Sequence, residues 1–147
     1  MRKIAFLLIL LLILSNCDKP INEQTAIIEL LNKEAATWRA ADPVAHAACW
    51  AVRPYGKILI STAEGQVMEL SSEQVVNAPK SVMGKGGKAV LSDFSFCIQD
   101  QSAWVSHTEL SIDQAGDSTR SKEIRLLEKV DGQWKLVGQS IHVLRNK

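Results

Sequence analysis

Apolar and polar residues alternate most regularly near the C-terminus, in EIRLLEKVDGQWKLVGQSIH, residues 123–142. Two alternating runs flank Asp131-Gly132, a dipeptide that accepts φ > 0 at both central positions of a two-residue type I′ turn. Such a turn sets Val130 opposite Gln133, Glu128 opposite Lys135, Leu127 opposite Leu136, Arg125 opposite Gly138 and Glu123 opposite Ser140. Strict alternation places Leu127, Arg125, Glu123, Trp134, Leu136, Ser140 and His142 on one face. Leu126, Ile124, Val137, Ile141 and Val143 take the other. Apolar residues on both faces predict a hairpin covered on both sides, by helices or by a partner subunit.

Upstream, Ile21, Ile27, Ile28, Leu31, Ala35 and Trp38 recur at helical spacing and predict a first helix over 22–40, with Asn22 as N-cap and Glu23 in the first turn. Asp42-Pro43 reads as the N-cap and first position of a second helix over 43–52, carrying Val44, Ala47, Ala48 and Trp50 and stopped by Arg53-Pro54. KILIST (57–62) is a strand, Glu64-Gly65 a turn, and 66–69 a short return strand. A third helix starts at Ser71 or Ser72 and ends or breaks at Pro79. The run GKGGK, residues 84–88, lacks P-loop spacing and precedes a strand, so it is expected to be a flexible connection. Residues 89–99 alternate, with Val90, Phe94, Phe96 and Ile98 on one side. Asp100-Gln101 turns into a strand over 102–112, and a polar loop around Gly116 leads to the last hairpin. Helices first and long antiparallel strands afterwards predict an α+β fold, with helices on one face of a curved sheet.

The extreme N-terminus follows a different pattern. Met1-Arg2-Lys3 is a positive start, and Ile4 to Leu14 is an unbroken apolar run, too short to span a bilayer and suited to a secretory signal. The following Leu14-Ser15-Asn16-Cys17 resembles the lipobox of bacterial lipoprotein signals, which implies cleavage before Cys17 and lipidation of that residue. The other readings are an ordinary signal peptide and an uncleaved anchor. The lipobox divides the chain into a signal over 1–16, a lipidated cysteine and linker over 17–22, and one domain over 23–147. It places the domain in a bacterial cell envelope, facing the periplasm or the exterior, on a membrane that the chain does not identify.

Composition changes little. The 147 residues carry a net charge of +1 with 22% charged residues, so no basic excess points to nucleic acid. Aromatics make up only 5%, yet four are Trp, a residue suited to a packed core or a pocket wall. Cys49 and Cys97 sit in a compartment that permits disulfides; two small buried apolar residues are the preferred reading and a bridge the alternative. No Cys or His spacing suggests a metal, and no cofactor motif is present.

The order of elements and several local strings resemble the NTF2-like superfamily, the cone-shaped fold of the SnoaL-like and DUF4440 groups. The strings are Ala35-Ala36-Thr37-Trp38 with Asp42, His46-Ala47-Ala48-Cys49-Trp50, and the run from Arg125 to Val137. The resemblance implies a pocket between the concave face of the sheet and the helices. It also implies a homodimer through the convex face. It is unspecific for function.

In such a cone, concave-face polar residues carry any chemistry. His107, Glu109 and Arg125 are the catalytic candidates, with His107 or Glu109 as base and Arg125 as anion stabiliser, provided a one-residue slip does not turn the 102–112 strand over. Trp50, Arg53, Tyr55, Trp104 and His142 are the candidate ligand-binding residues, at the mouth or on the wall. His46 and Cys49, three apart on one helix, lack the third group and oxyanion hole of a nucleophilic pair. The only tyrosine, Tyr55, is not in the first helix, which argues against steroid-isomerase chemistry. The preferred function is therefore non-catalytic, binding an unidentified small molecule or protein. The alternative is SnoaL-like acid–base chemistry of isomerase, cyclase or dehydratase type on a small apolar substrate.

Overall fold

The computed structural model describes residues 19–145; the proposed signal and Cys17 lie outside them. Helix α1 runs Lys19–Arg39, starting before the expected Asn22, because Pro20 is tolerated in a first helical turn where its missing N–H costs nothing. Ile27, Leu31 and Ala35 form its buried stripe. Helix α2, Pro43–Ala47, starts where expected: the Asp42 side chain accepts from the Ala45 amide at 3.0 Å. Asp42→Ala should cost about 1 kcal/mol, the usual worth of such a cap; an unchanged denaturant midpoint would show the cap to be idle.

Helix α2 stops five residues short of the expected end. The chain from Cys49 to Ala51 instead pairs with the chain at Leu136: the Leu136 amide donates to the Cys49 carbonyl at 3.0 Å and the Ala51 amide to the Leu136 carbonyl at 2.8 Å. Trp50 therefore sits in a parallel bridge beside Leu136, not on a helix. Strands β1, Lys57–Ser61, and β2, Val67–Ser71, form the first hairpin. Helix α3, Ser72–Val76, follows with a full capping box of Ser71 and Gln74. After a 3₁₀ turn come β3, Lys88–Gln99; β4, Ser102–Ile112; β5, Ser118–Val130; and β6, Gln133–Val143.

The six strands form one curved sheet in the order β2-β1-β6-β5-β4-β3, antiparallel except for the β1–β6 pair. The α+β expectation holds: α1 lies over one face. Ile27, Leu31, Ile58, Val105, Leu127 and Leu136 are buried between helix and sheet, each aliphatic contributing about 1.5–3 kcal/mol.

Three expectations fail for local reasons. The register of the last hairpin holds from Val130↔Gln133 to Leu127↔Leu136, and then Leu126 pairs with Gly138. Val137 is the extra residue of a β-bulge, and one extra residue inverts the alternation beyond it. Arg125 thus faces Gln139, not Gly138, and Glu123 faces Ile141, not Ser140. Ser140 and His142 move to the open face, and Ile141 and Val143 to the helix side. A second bulge, with Asp93 at φ 55, does the same in β3, so Val90 is exposed while Phe94, Phe96 and Ile98 are partly buried against the core. Finally, residues 84–88 cap α1 instead of forming a loose connection. The Gly84 amide donates to the Trp38 carbonyl at 3.1 Å and the Gly86 amide to the Arg39 carbonyl at 2.8 Å. Gly87, at φ 85, passes so close to β4 that a Cβ there would lie 2.2 Å from the Ile112 carbonyl oxygen.

Candidate functional site

Helix-side residues of β4 and β5 pair in rows: Ala103 with Leu127, Val105 with Arg125, His107 with Glu123 and Glu109 with Ser121. The interior therefore changes from apolar to ionic along the strands. His107, Glu109 and Arg125 do share the helix-covered face, all buried, and Glu123 joins them. Helix α1 adds Glu34 and Arg39 from above, and the α2 region adds His46.

Arg125 is the hub. Its guanidinium donates to Glu123 and to the Gln139 side chain, lies 3.5 Å from Glu34, and points Nε at His107 Nε2 at 3.4 Å. Glu123 also accepts from the Ser121 hydroxyl at 2.7 Å, and Glu34 reaches His46 Nδ1 at 3.7 Å. Arg39, the last residue of α1, holds Glu109 at 2.5 Å and Ser111 at 2.8 Å. The Phe94 ring lies 5.4 Å from that of His107. On the far side of Glu34, the His46 ring packs against Trp38 at 5.1 Å and Trp50 at 6.1 Å.

Burial and the Arg125 cation pull the His107 imidazole down to about 4, Glu123 opposing them. Accepting from Arg125 at Nε2 requires the same neutral ring. Burial lowers His46 as well, against the pull of Glu34. Burial and the Glu123 charge raise Glu109 even though Arg39 holds it. Burial alone would raise Glu123, but Arg125 and the Ser121 hydroxyl outweigh it and keep this carboxyl below its usual range. The arithmetic explains the pattern. Glu34, Glu109 and Glu123 face two guanidinium groups, Arg39 and Arg125, so full ionisation would leave one buried negative charge uncompensated. The excess of carboxylates is one reason that the Glu109 carboxyl is raised, the Glu123 charge acting beside burial. The guanidinium of Arg125 is occupied by Glu123 and Glu34, which an anion would have to displace for the stabilising role read from the sequence.

The proposed ligand-binding residues lie elsewhere. Trp50 is buried in the core, with no hydrogen-bond partner for its indole N–H. Trp104 pairs with Cys97 and Leu126 on the open face of the sheet, opposite the expected pocket. It lines a shallow cleft of about 290 Å³ with Tyr55, Cys97, Leu126, Glu128 and Val137. Arg53 donates to Glu128 at 2.9 Å, and the Tyr55 hydroxyl donates to the same carboxylate. His142 is exposed on the open face, 2.9 Å from the Ser140 hydroxyl, because the Val137 bulge turned it away from Arg125. Cys97 is exposed and Cys49 buried, both free, so only Cys49 is the small core residue expected. Among the described residues no group of three or more His, Cys, Asp or Glu is placed to hold a metal ion.

Glu34, Arg39 and Gln139 are absent from the sequence-derived candidates, and His46 enters there only as a partner of Cys49. One signal was readable: Glu34 falls seven residues after Ile27 and three after Leu31, a charge on the apolar stripe of α1. Such a charge must find a partner when buried.

No protein-family model matches the sequence, and neither does any curated protein. Solved structures do match. An NTF2-like protein of unknown function from Shewanella baltica OS155 superposes with a TM-score of 0.66 at 18% identity, covering 87% of this chain and 98% of its own. A provisionally assigned scytalone dehydratase from Novosphingobium aromaticivorans DSM 12444 gives 0.66 at 16%, covering 87% and 88%. An NTF2-like protein from Cytophaga hutchinsonii ATCC 33406 gives 0.63 at 17%, covering 82% and 98%. At these identities the likeness concerns the fold alone: the chain has the fold of an NTF2-like cone.

Proposed function

From an NTF2-like cone with a filled ionic interior, we propose that this protein is a lipid-anchored, non-catalytic envelope domain that works by binding a small molecule or a partner protein. The saturation of the interior carries the reading. Arg125 is spent on Glu123, Gln139, Glu34 and His107, and Glu109 on Arg39. General acid–base chemistry needs a group whose proton can reach a substrate atom, and these groups reach one another. Native mass spectrometry of the chain taken from its own membrane tests the reading. An intact co-purifying molecule or a stable complex is expected; conversion of a recovered compound by added protein would overturn it.

The open face suits the partner role. Trp104, Leu126, Leu59 and Val90 are large exposed apolar residues on the face that α1 leaves uncovered. Large aromatic anchors of this kind dominate interface energetics. A second copy of the chain is the occupant that the NTF2-like resemblance implies. Trp104→Asp should then convert a dimer to a monomer by light scattering while leaving the fold, read by circular dichroism, unchanged. A wild-type monomer at high concentration would count against the pairing.

One observation favours the acid–base alternative: a neutral, fully buried His107 shares its strand face with Glu109, two residues on, whose carboxyl burial raises. Such environments occur at catalytic sites. If the alternative holds, His107→Asn abolishes turnover of a small apolar carbonyl substrate without unfolding the domain.

A further inference from the structure

Helix α1 begins at one end of the cone, and the β3–β4 turn at Asp100-Gln101 and the β5–β6 turn at Asp131-Gly132 share that end. The Lys129 amide donates to the Gln101 carbonyl at 2.8 Å and ties the two turns together. Glu23 ties the helix to them: it accepts from Lys129 Nζ at 2.5 Å and from Trp134 Nε1 at 2.6 Å. The start of α1 is thus fastened to the sheet. Between them opens a cleft of about 820 Å³, with Phe96 and Ile98 on its floor and Asn22, Gln24 and Lys129 at its rim.

Cys17 precedes the first residue of α1 by only two positions. Two residues of extended chain reach about 7 Å at most. The helical rise from Lys19 to Asn22 adds about 4.5 Å. Whatever path Asp18 takes, the rim of the cleft lies within about 12 Å of Cys17. The polar interfacial layer of a bilayer is itself about 5–8 Å thick on each side. An acylated Cys17 therefore keeps this end of the domain within about 12 Å of its anchoring point at the headgroups.

We propose that the end formed by the start of α1 and the Asp100-Gln101 and Asp131-Gly132 turns rests on the lipid surface, so that the Phe96–Ile98 cleft opens toward the bilayer. This rests on the lipid-anchor reading of Cys17. Exposed Asp100 and Asp131, set against Lys19 and the internally paired Lys129 and Glu23, leave this end with a slight acidic excess. It fits a zwitterionic headgroup layer, and anionic lipid repels it. The opposite end, with the turns at Glu64-Gly65 and Ala115-Gly116, stands about 30 Å away, the length of a 21-residue helix.

The test uses the full chain, extracted from its membrane and returned to phosphatidylcholine vesicles carrying brominated lipid. A fluorophore is placed at Gln101→Cys or at Ala115→Cys, each in a Cys97→Ser background that removes the exposed native thiol. Quenching several-fold stronger at Gln101 than at Ala115, and weakened by added phosphatidylglycerol, is the expected result. Equal quenching at the two positions, with Cys17 shown by mass spectrometry to be acylated, overturns this orientation alone. An unmodified Cys17 overturns the anchor reading and the orientation with it.

Discussion

Arg125→Met is expected to destabilise the domain by about 3–5 kcal/mol at neutral pH, the cost of removing one partner from a buried ion cluster. Glu123 and Glu34 both face this guanidinium from protected positions. Methionine fills much of the same volume, so the loss is electrostatic and not a cavity. Two features distinguish that cause from general damage. The deficit should shrink as the pH falls toward the carboxylate range, because protonation of Glu123 removes a stranded charge. The triple change Arg125→Met, Glu123→Leu, Glu34→Leu should recover most of the stability, since well-packed apolar replacements of a whole buried ion cluster are often neutral. Guanidinium midpoints of the three proteins at two pH values measure both. A single variant as stable as the parent would mean that the cluster is wet and screened.

The second large effect is an acid-side loss of stability centred on the histidines. His107 has an unfolded value near 6.5 and a folded value of about 4, so its contribution is complete above 6.5 and disappears as the pH falls toward 4. His46 is shifted in the same direction by burial. Their surroundings differ: Glu123 and Arg125 from β5 and Phe94 from β3 face His107, while Glu34 and Arg125 face His46. Glu109 works the other way, because its raised carboxyl takes up a proton more readily folded than unfolded, which partly offsets the loss. Glu123, lowered in the fold, adds a further loss below about 4.5. His107 alone accounts for about 2 kcal/mol between pH 7 and pH 5, at 1.4 kcal/mol per unit of pH. Urea midpoints measured across that range should fall steadily. His107→Leu should flatten the slope, and an undiminished slope in that variant would move the effect to other groups.

The occupied interior also bears on the choice between binding and catalysis. Each guanidinium already meets at least one carboxylate, so a substrate carboxylate or enolate would have to displace a protein group to reach a cation. The open face carries no such cost: Trp104 and Leu126 are already exposed. This asymmetry supports the proposed binding of a partner on the outside.

Much of the architecture was legible in the chain, for reasons that lie in single residues. Asp131-Gly132 takes φ 51 and φ 77, the two positive angles that a tight hairpin turn needs, and the first four cross-strand pairs follow from it. Asp42-Pro43 set the start of α2, and the stripe Ile27, Leu31, Ala35 set the buried side of α1. These are short-range effects, in which backbone angles, caps and periodicity act within one or two turns of chain.

What the chain did not disclose depends on contacts between distant segments. Val137 and Asp93 become bulges where the curved sheet needs an extra residue, and the alternation itself gives no sign of which residue the ladder will skip. One skipped residue sent His142 to solvent and Gln139 to Arg125. Helix α2 ends at Ala47 because β6 offers Leu136 backbone groups to Cys49 and Ala51. Residues 84–88 become a cap only because the end of α1 arrives beside them. By itself the sequence determined the order and type of the main elements, the tight turn at Asp131-Gly132, and that His107 and Glu109 share one face of their strand. Only the tertiary structure decided that Glu34 and Arg39 would descend from α1 on Arg125 and Glu109 and satisfy them, since a buried charge takes its partner from whichever element the packing brings within reach.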